Sequence, residues 1–200
     1  MEFDEIAIIE LAKNGDKKAM TILVNAYSGK IYNLGLRMMR NEPDAEDILQ
    51  ETFLTMVKKL NTFKGKSSLY TWLYRIAMNL SLEKLKDKHR TNVTASIDDP
   101  DYSGLGQFEP IQLPDDTDDK MTADQFRKFL DNAMETLNEK LRAVFILRDI
   151  EGQSVAETAE ILDLTESNAK VRLMRARLAL RDELSKILKK EEWHDKIQTH

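Results

Sequence analysis

The chain has 200 residues, of which 42% are hydrophobic and 32% charged, with seven glycines, four prolines and no cysteine. This is the composition of a soluble globular protein, and the few glycines and prolines favour long helices over a sheet. The length allows two small domains, and the lack of cysteine excludes disulfides, thiolate metal sites and cysteine nucleophiles.

The first residues are acidic and lack the basic-then-apolar order of a signal peptide. No uninterrupted apolar run approaches the roughly 18 residues that a membrane span needs. The sequence therefore predicts a cytoplasmic protein without direct membrane insertion.

The net charge of -5 hides two basic segments, at residues 58–90 and 170–190. An acidic segment separates them, with carboxylates at Asp98, Asp99, Asp101, Glu109, Asp115, Asp116, Asp118 and Asp119. Because the local potential rather than the net charge steers a polyanion, we describe the chain as two basic modules joined by an acidic segment.

In the first module, apolar residues recur at helical spacing from residue 45 to residue 60, interrupted only by Thr52. This stripe predicts an amphipathic helix with Val57 in the core and its N-cap at Asp44. The opposite face carries Asp47, Gln50, Glu51 and the apolar Leu54. The residues alone favour a solvated surface for this face.

A glycine flanked by two lysines follows that helix, in the run FKGKSS at residues 63–68. A second helix is expected to begin near Ser67 or Ser68 and to contain Trp72 and Ile76 in its core. Mobile backbone amides, hydroxyls and charge just before a helix N-terminus suit a phosphate or an unpaired base. Phe63 is interpreted either as core or as a stacking platform, and Tyr70 and Tyr74 are left open between packing and DNA contact.

Three of the four prolines lie between residues 93 and 120, together with two glycines and the acidic run. This composition predicts a flexible acidic linker. We therefore expect an all-α protein with a helical domain at residues 1–92, the linker at 93–120, a second helical domain at 121–190 and a C-terminal tail at 191–200.

The second domain contains a capping box at Ser154 and Glu157, after a predicted helix stop at Gly152. A short helix to Leu162, a tight turn at residues 163–165 and a long basic helix capped by Thr165 form the plan of a helix-turn-helix. On the long helix, Ala169, Leu173, Ala176 and Leu180 are predicted to face the core. The other face offers cations for phosphates and short side chains for base edges, namely Ser167, Asn168, Lys170, Val171, Arg172, Met174, Arg175 and Arg177.

These segments resemble extracytoplasmic-function (ECF) sigma factors of the sigma-70 family. The fourth region of that family is similar to RAVFILR at 142–148, EG at 151–152, AEIL at 159–162 and KVRLMRAR at 170–177. The second region is similar to DAEDILQETF at 44–53, FKGKSS at 63–68 and TWLYRIAMN at 71–79. Asp163, Asn138 and Met174 depart from the usual glycine, proline and histidine or aromatic residue.

The resemblance implies a function for each face. The long basic helix would read the upstream, minus-thirty-five promoter element, and the acidic face of the first helix would bind the clamp helices of the polymerase's largest subunit. The loop and the helix after it would capture a flipped base and the single strand of the minus-ten element. By position, that role falls to Phe63, Lys64, Lys66, Ser67, Ser68, Arg75 and Asn79.

The expected partners are core RNA polymerase, promoter DNA and an anti-sigma factor, and the free chain is expected to be a monomer. His89, His194 and His200 lie apart, so we expect no metal, no cofactor and no enzymatic activity. Two alternatives remain at this point: an autonomous helix-turn-helix regulator that acts without polymerase, and a sigma-like decoy that binds polymerase without starting transcription.

Overall fold

The structure is a computed structural model that describes residues 4–91 and 123–198. Every regular element within these two segments is helical, which confirms the predicted all-α class. The helices divide into two compact units, the first built from the N-terminal helices and the second from most of the remaining ones. The predicted acidic linker lies outside the described residues.

The first unit consists of α1 (Glu5–Lys13), α2 (Lys17–Met39), α3 (Glu42–Lys59) and α4 (Leu69–Thr91), with a 3-10 turn at Leu60–Thr62. α2 is the central helix and packs against the other three, while α3 also packs against α4. Fully buried side chains from α2, α3, the turn and α4 form the core, among them Leu23, Ile31, Leu34, Met38, Met56, Leu60, Leu73 and Met78.

The close approach of α2 and α3 depends on Gly35. A Cβ at this position would lie 3.3 Å from both the Cα and the carbonyl oxygen of Ala45. Ala45 itself is fully buried. The two backbones therefore meet where each helix has its smallest side chain, because a larger residue would push them apart.

The N-cap of α3 is Asn41, so the prediction that Asp44 caps this helix was wrong. The Asn41 Oδ1 accepts a hydrogen bond from the Asp44 amide at 2.9 Å, and Pro43 lies within the first turn. Proline is tolerated there because the first amides of a helix have no intrahelical acceptor. Arg40, with a left-handed φ of 63°, ends α2 just before this cap.

The buried face of α3 is narrower than the apolar stripe predicts. Thr52 is fully buried, and its hydroxyl donates to the Ile48 carbonyl at 2.6 Å, which satisfies the one polar group in the stripe. Val57, in contrast, is 56% exposed, so its predicted place in the core was wrong. The neighbouring helices cover the side of α3 that carries Ile48, Thr52 and Met56, and Val57 lies beyond it.

The second unit contains α5 (Ala123–Ala133), a 3-10 turn at Met134–Thr136, α6 (Glu139–Phe145), a π-helical turn at Ile146–Ile150, the first half of α7 (Val155–Leu162) and α8 (Glu166–Gln198). α8 packs against α5 and α6. It continues through residues 191–198, so no helix end marks the predicted start of a C-terminal tail. In this unit the Arg142 guanidinium is buried and donates to the carbonyls of Met134 and Leu137.

None of the helices in the two described segments combines the length and the apolar character that crossing a membrane requires.

Candidate nucleic-acid and partner interfaces

The start of α7 is fixed by the predicted capping box. The Ser154 amide donates to the Glu157 carboxylate at 2.8 Å, and the Glu157 amide donates to the Ser154 hydroxyl at 3.1 Å. These bonds to Ser154 hold the pKa of Glu157 below its ordinary value. Gly152, with φ of 69°, ends the preceding helix as predicted. Local chemistry alone therefore sets where the helix-turn-helix begins.

The turn between α7 and α8 also follows the sequence pattern. Asp163 adopts a left-handed φ of 54°, a conformation that aspartate tolerates better than most residues. Thr165 then caps α8, since its hydroxyl accepts a hydrogen bond from the Asn168 amide at 3.2 Å. The departure from glycine at Asp163 thus leaves the tight turn intact.

The two faces of α8 are divided as the helical spacing predicts. Ala169, Leu173, Ala176 and Leu180 are all buried. Ser167, Asn168 and Lys170 are exposed on the first turns. Half-buried positions follow at Val171, Arg172, Met174 and Arg175. The free surface of α8 therefore begins with small polar groups and one lysine, close to the helix N-terminus.

Arg177, one of the basic residues predicted to bind DNA, is engaged within the second unit. Its guanidinium forms a two-pronged ion pair with Asp149, with distances of 2.8 and 2.5 Å. This pairing raises the pKa of Arg177 above its ordinary value. The ion pair ties the π-helical turn to α8, and the DNA contact of Arg177 stays a prediction.

The loop before α4 is exposed to solvent and ends at Ser68. The Ser68 hydroxyl accepts a hydrogen bond from the Thr71 amide at 3.0 Å, so Ser68 caps α4, in agreement with the prediction. Lys64, Gly65 and Lys66 are exposed, and Gly65 has a left-handed φ of 66°. Ser67 is half-buried. We call residues 63–68 the capture loop.

The aromatic residues around the capture loop take up packing positions. Phe63 is only 8% exposed, and its ring centroid lies 5.4 Å from that of Trp72. Of the two interpretations that the sequence left open for Phe63, the burial of its ring supports the core position, and its part in the minus-ten site stays a prediction. Tyr74 is fully buried, and the half-buried Tyr70 stacks on it at 4.0 Å.

The predicted single-strand contacts on α4 remain accessible. Asn79 is exposed and Arg75 half-buried. The two positions are four residues apart, which places them on the same side of the helix.

The predicted partner face of α3 is exposed along its whole length. Asp47, Gln50 and Glu51 are exposed, and Leu54 is 49% exposed. Val57 lies one turn after Leu54, so two large apolar side chains stand next to each other on this face. We call these five residues the α3 face.

A charged network that the sequence did not reveal joins α3 to α4. The Lys84 ammonium lies 2.9 Å from the Asp44 carboxylate and 2.6 Å from that of Asp47, and Lys88 donates to Asp44. The hydrogen bond from Lys88, then those from Lys84 and Asn41, hold the pKa of Asp44 well below its ordinary range despite the opposing effect of burial. For Lys84, burial lowers the pKa, but the bonds to Asp47 and Asp44 outweigh it, and the net shift is upward.

The spacing of these charges was the available signal. Asp44 and Asp47 are three residues apart on α3, and Lys84 and Lys88 are four apart on α4, so each pair shares a helix side. Matching the two pairs needs the packing register of the helices. No group of histidines, aspartates and glutamates that could hold a metal ion occurs among residues 4–91 and 123–198.

Two family models match the chain, one in each unit. The sigma-70 region 2 model covers residues 23–91. The sigma-70 region 4 model covers residues 130–180. Region 2 precedes region 4 along the chain, which is the order in which the segments that resemble these regions occur.

Curated relatives match nearly the whole chain. An ECF RNA polymerase sigma-E factor of Escherichia coli K12 is 30% identical over 92% of this chain and 95% of its own length. A protein of the same name from Haemophilus influenzae is 29% identical over 91% of this chain and 96% of its own length.

Two solved structures share the fold. CnrH in complex with the cytosolic domain of CnrY aligns with a TM-score of 0.61 at 21% identity, covering 93% of this chain and 97% of CnrH. The sigma factor RpoE from Bartonella quintana, in complex with the anti-sigma factor NepR, aligns with a TM-score of 0.59 at 20% identity, covering 85% of this chain and 97% of RpoE.

Proposed function

Because the chain belongs to the sigma-70 family and is an alternative RNA polymerase sigma factor of the ECF type, we propose which of its surfaces carries out each step of promoter recognition. The first unit binds core RNA polymerase and holds the minus-ten DNA, and the second unit reads the minus-thirty-five element. Residues 93–120 connect the two. The first unit exposes both the α3 face and the capture loop, and this observation carries the proposal.

For the upstream element, we propose that α8 enters the major groove with its N-terminal end foremost. Ser167, Asn168 and Lys170 offer donors and acceptors to base edges and phosphates, since they are exposed on the first turns. Arg172 and Arg175 follow at half-buried positions, and Val171 and Met174 supply apolar contacts. Arg177 also ties the helix to Asp149.

For the minus-ten element, we propose that the capture loop takes up one base of the non-template strand. Lys64 and Lys66 attract the phosphates, and Ser67 and Ser68 bond to the base at the N-terminus of α4. Phe63 contributes from the core by fixing the start of the loop, while Arg75 and Asn79 guide the strand along α4. Capturing and stacking bases offsets the few kcal/mol that unstacking costs, so opening needs no nucleotide hydrolysis.

For polymerase, we propose that the α3 face is the docking surface. Exposed acidic groups around Leu54 and Val57 suit a partner helix that carries cations and an apolar pocket, and they would repel DNA. The Lys84 contact to Asp47 is compatible with this use, because Asp47 remains 63% exposed.

We further propose that the chain has no catalytic activity of its own and works in the cytoplasm as a monomer before it joins polymerase. Its family consists of transcription initiation factors. We also propose regulation by an anti-sigma factor, since the similar RpoE from Bartonella quintana binds one.

Specific transcription tests the proposal. Purified chain is mixed with core polymerase and a promoter library, and the transcripts are sequenced. We expect transcripts that share an upstream and a minus-ten motif, and we expect Leu54→Asp to abolish them while Ile22→Asp, which alters a similarly exposed apolar residue on α2, leaves them intact. Tight DNA binding by the free chain without transcripts would instead indicate an autonomous regulator, and polymerase binding without transcripts would indicate a decoy.

A further inference from the structure

Helix α1 precedes the region 2 match, which begins at residue 23, yet it belongs to the first unit. It packs against α2 and also contacts the 3-10 turn Leu60–Thr62, which leads directly into the capture loop. Ile9 and Ala12 are the buried residues of α1. The base of the loop therefore rests partly on α1.

The N-terminal end of α1 is fastened to α2. Asp4 caps the helix by accepting a hydrogen bond from the Ala7 amide at 3.2 Å, and the Glu5 carboxylate accepts one from the Tyr27 hydroxyl. Burial, followed by this hydrogen bond, raises the pKa of Tyr27 above its ordinary value. The hydrogen bond from the Tyr27 hydroxyl to Glu5 holds the helix at this end.

The C-terminal end of α1 is fastened to the capture loop through Lys13. The Lys13 ammonium lies 5.7 Å from the centroid of the Phe63 ring, within cation–π range, and 2.8 Å from the Glu10 carboxylate. Trp72 contacts the same ring from α4. Phe63 is thus held between a lysine of α1 and an aromatic residue of α4.

The position of Phe63 fixes the start of the backbone segment that carries the two loop lysines. Lys64 and Lys66 follow it directly, and Gly65 between them allows the backbone many conformations. Without a fixed start, the two ammonium groups would spread over a larger volume and lose part of their attraction for one phosphate. Holding the Phe63 ring therefore preorganises the loop.

We propose that α1 is part of the base-capture site and that Lys13 is a positioning residue that acts through Phe63. The inference rests on the proposed function of the capture loop. Lys13 does not reach DNA itself, since its side chain is only 20% exposed and its ammonium is engaged by Glu10 and the ring.

The test uses the full chain in complex with core polymerase and a selected promoter. A 2-aminopurine replaces each minus-ten base in turn, and its fluorescence reports the base that leaves the stack. Lys13→Met keeps the hydrocarbon stem and removes the charge, Lys13→Arg keeps the charge, and Lys18→Met is the control at an exposed lysine of α2. We expect the equilibrium for base capture to fall about two- to fivefold in Lys13→Met, with Lys13→Arg and Lys18→Met near wild type.

A double-mutant cycle with Phe63→Leu tests whether Lys13 acts through the Phe63 ring. We expect Lys13→Met to have no further effect once the ring is absent. An equal loss in both backgrounds, or no loss in the first place, overturns the inference. Variants are compared only after their urea midpoints agree, and Lys13→Gln replaces Lys13→Met if the latter is less stable.

A separate variant distinguishes failure of the inference from failure of the proposed function. Alanine at both Lys64 and Lys66 should strongly reduce the aminopurine signal. If that signal is unchanged, the proposed function of the loop is wrong and the inference falls with it. If it drops while Lys13→Met behaves as wild type, the inference alone is wrong.

Discussion

The substitution Asp44→Asn should destabilise the first unit because it removes the carboxylate through which α3 is paired with α4. The Asp44 side chain is 13% exposed and bonds both Lys84 and Lys88. Removing one member of a fully buried pair costs about 3–5 kcal/mol because the other charge remains unpaired. Here the two lysine side chains are 29% and 51% exposed, so water can solvate them again, and Lys84 keeps Asp47. We therefore expect a loss of about 1–2 kcal/mol.

This loss should depend on pH. The folded protein holds the pKa of Asp44 below its ordinary value of 3.8, chiefly through the hydrogen bond from Lys88. A carboxyl group with a depressed folded pKa stabilises the fold above its unfolded pKa, and that stability disappears as the pH falls through the folded value. The difference between wild type and Asp44→Asn should thus be constant from about pH 7 to pH 5 and shrink below about pH 4.

Urea unfolding of the full chain measures the effect. The chain has two tryptophans, Trp72 in the first unit and Trp193 in α8. In a Trp193→Phe background, fluorescence reports the unfolding of the first unit alone. Glu46→Gln is the matched control, since Glu46 is an exposed carboxylate on the same helix, and it should change stability by less than about 0.5 kcal/mol. An unchanged midpoint for Asp44→Asn at pH 7, or a difference at pH 3 as large as or larger than that at pH 7, would refute the reasoning.

Five further substitutions probe the interfaces and the core. Arg175→Ala should weaken binding to the upstream element by about 1–3 kcal/mol in band shifts, and unchanged binding would contradict its assignment as a DNA contact. Arg177→Ala should lower the urea midpoint because it removes the two-pronged pair with Asp149, and an unchanged midpoint would contradict a structural contribution of that pair. Leu54→Asp should weaken core polymerase binding by at least about 1–2 kcal/mol in a fluorescence anisotropy titration, with an unchanged circular dichroism spectrum; a loss of helicity would instead place Leu54 in the core. Gly35→Ala should destabilise the first unit by about 1–3 kcal/mol because the new methyl group meets the backbone of α3. In the same urea assay, the control Gly29→Ala should stabilise α2 by about 0.5–1 kcal/mol, since its methyl group meets no atom within 4 Å.

Much of the second unit could be predicted because its signals are local. The capping box at Ser154, the cap at Thr165 and the helix stop at Gly152 each join groups within a few residues. The buried face of α8 follows from a 3.6-residue period that any helix must obey. For the same reason the start of α4 at Ser68 was predictable.

The contacts that the sequence did not reveal come mainly from distant parts of the chain. Arg177 is a basic residue on an otherwise suitable face, but its partner Asp149 lies 28 residues away. Lys88, which bonds the Asp44 carboxylate, lies 44 residues further on, whereas the misplaced cap is a local error, since Asn41 caps α3 three residues before Asp44. Val57 fits the apolar period of α3 and still lies outside the contact area with α2 and α4.

The sequence by itself determined the helical class, the helix-turn-helix and the family, since caps, periodicity and motifs each depend on residues that are close together in the chain. The tertiary structure decided which charged groups remain available to a partner and which are used within the fold. It placed Lys13 beside the ring of Phe63 and paired α3 with α4 through Asp44. These contacts depend on how the helices pack, because the angle and register between two helices are set by all the side chains in their interface.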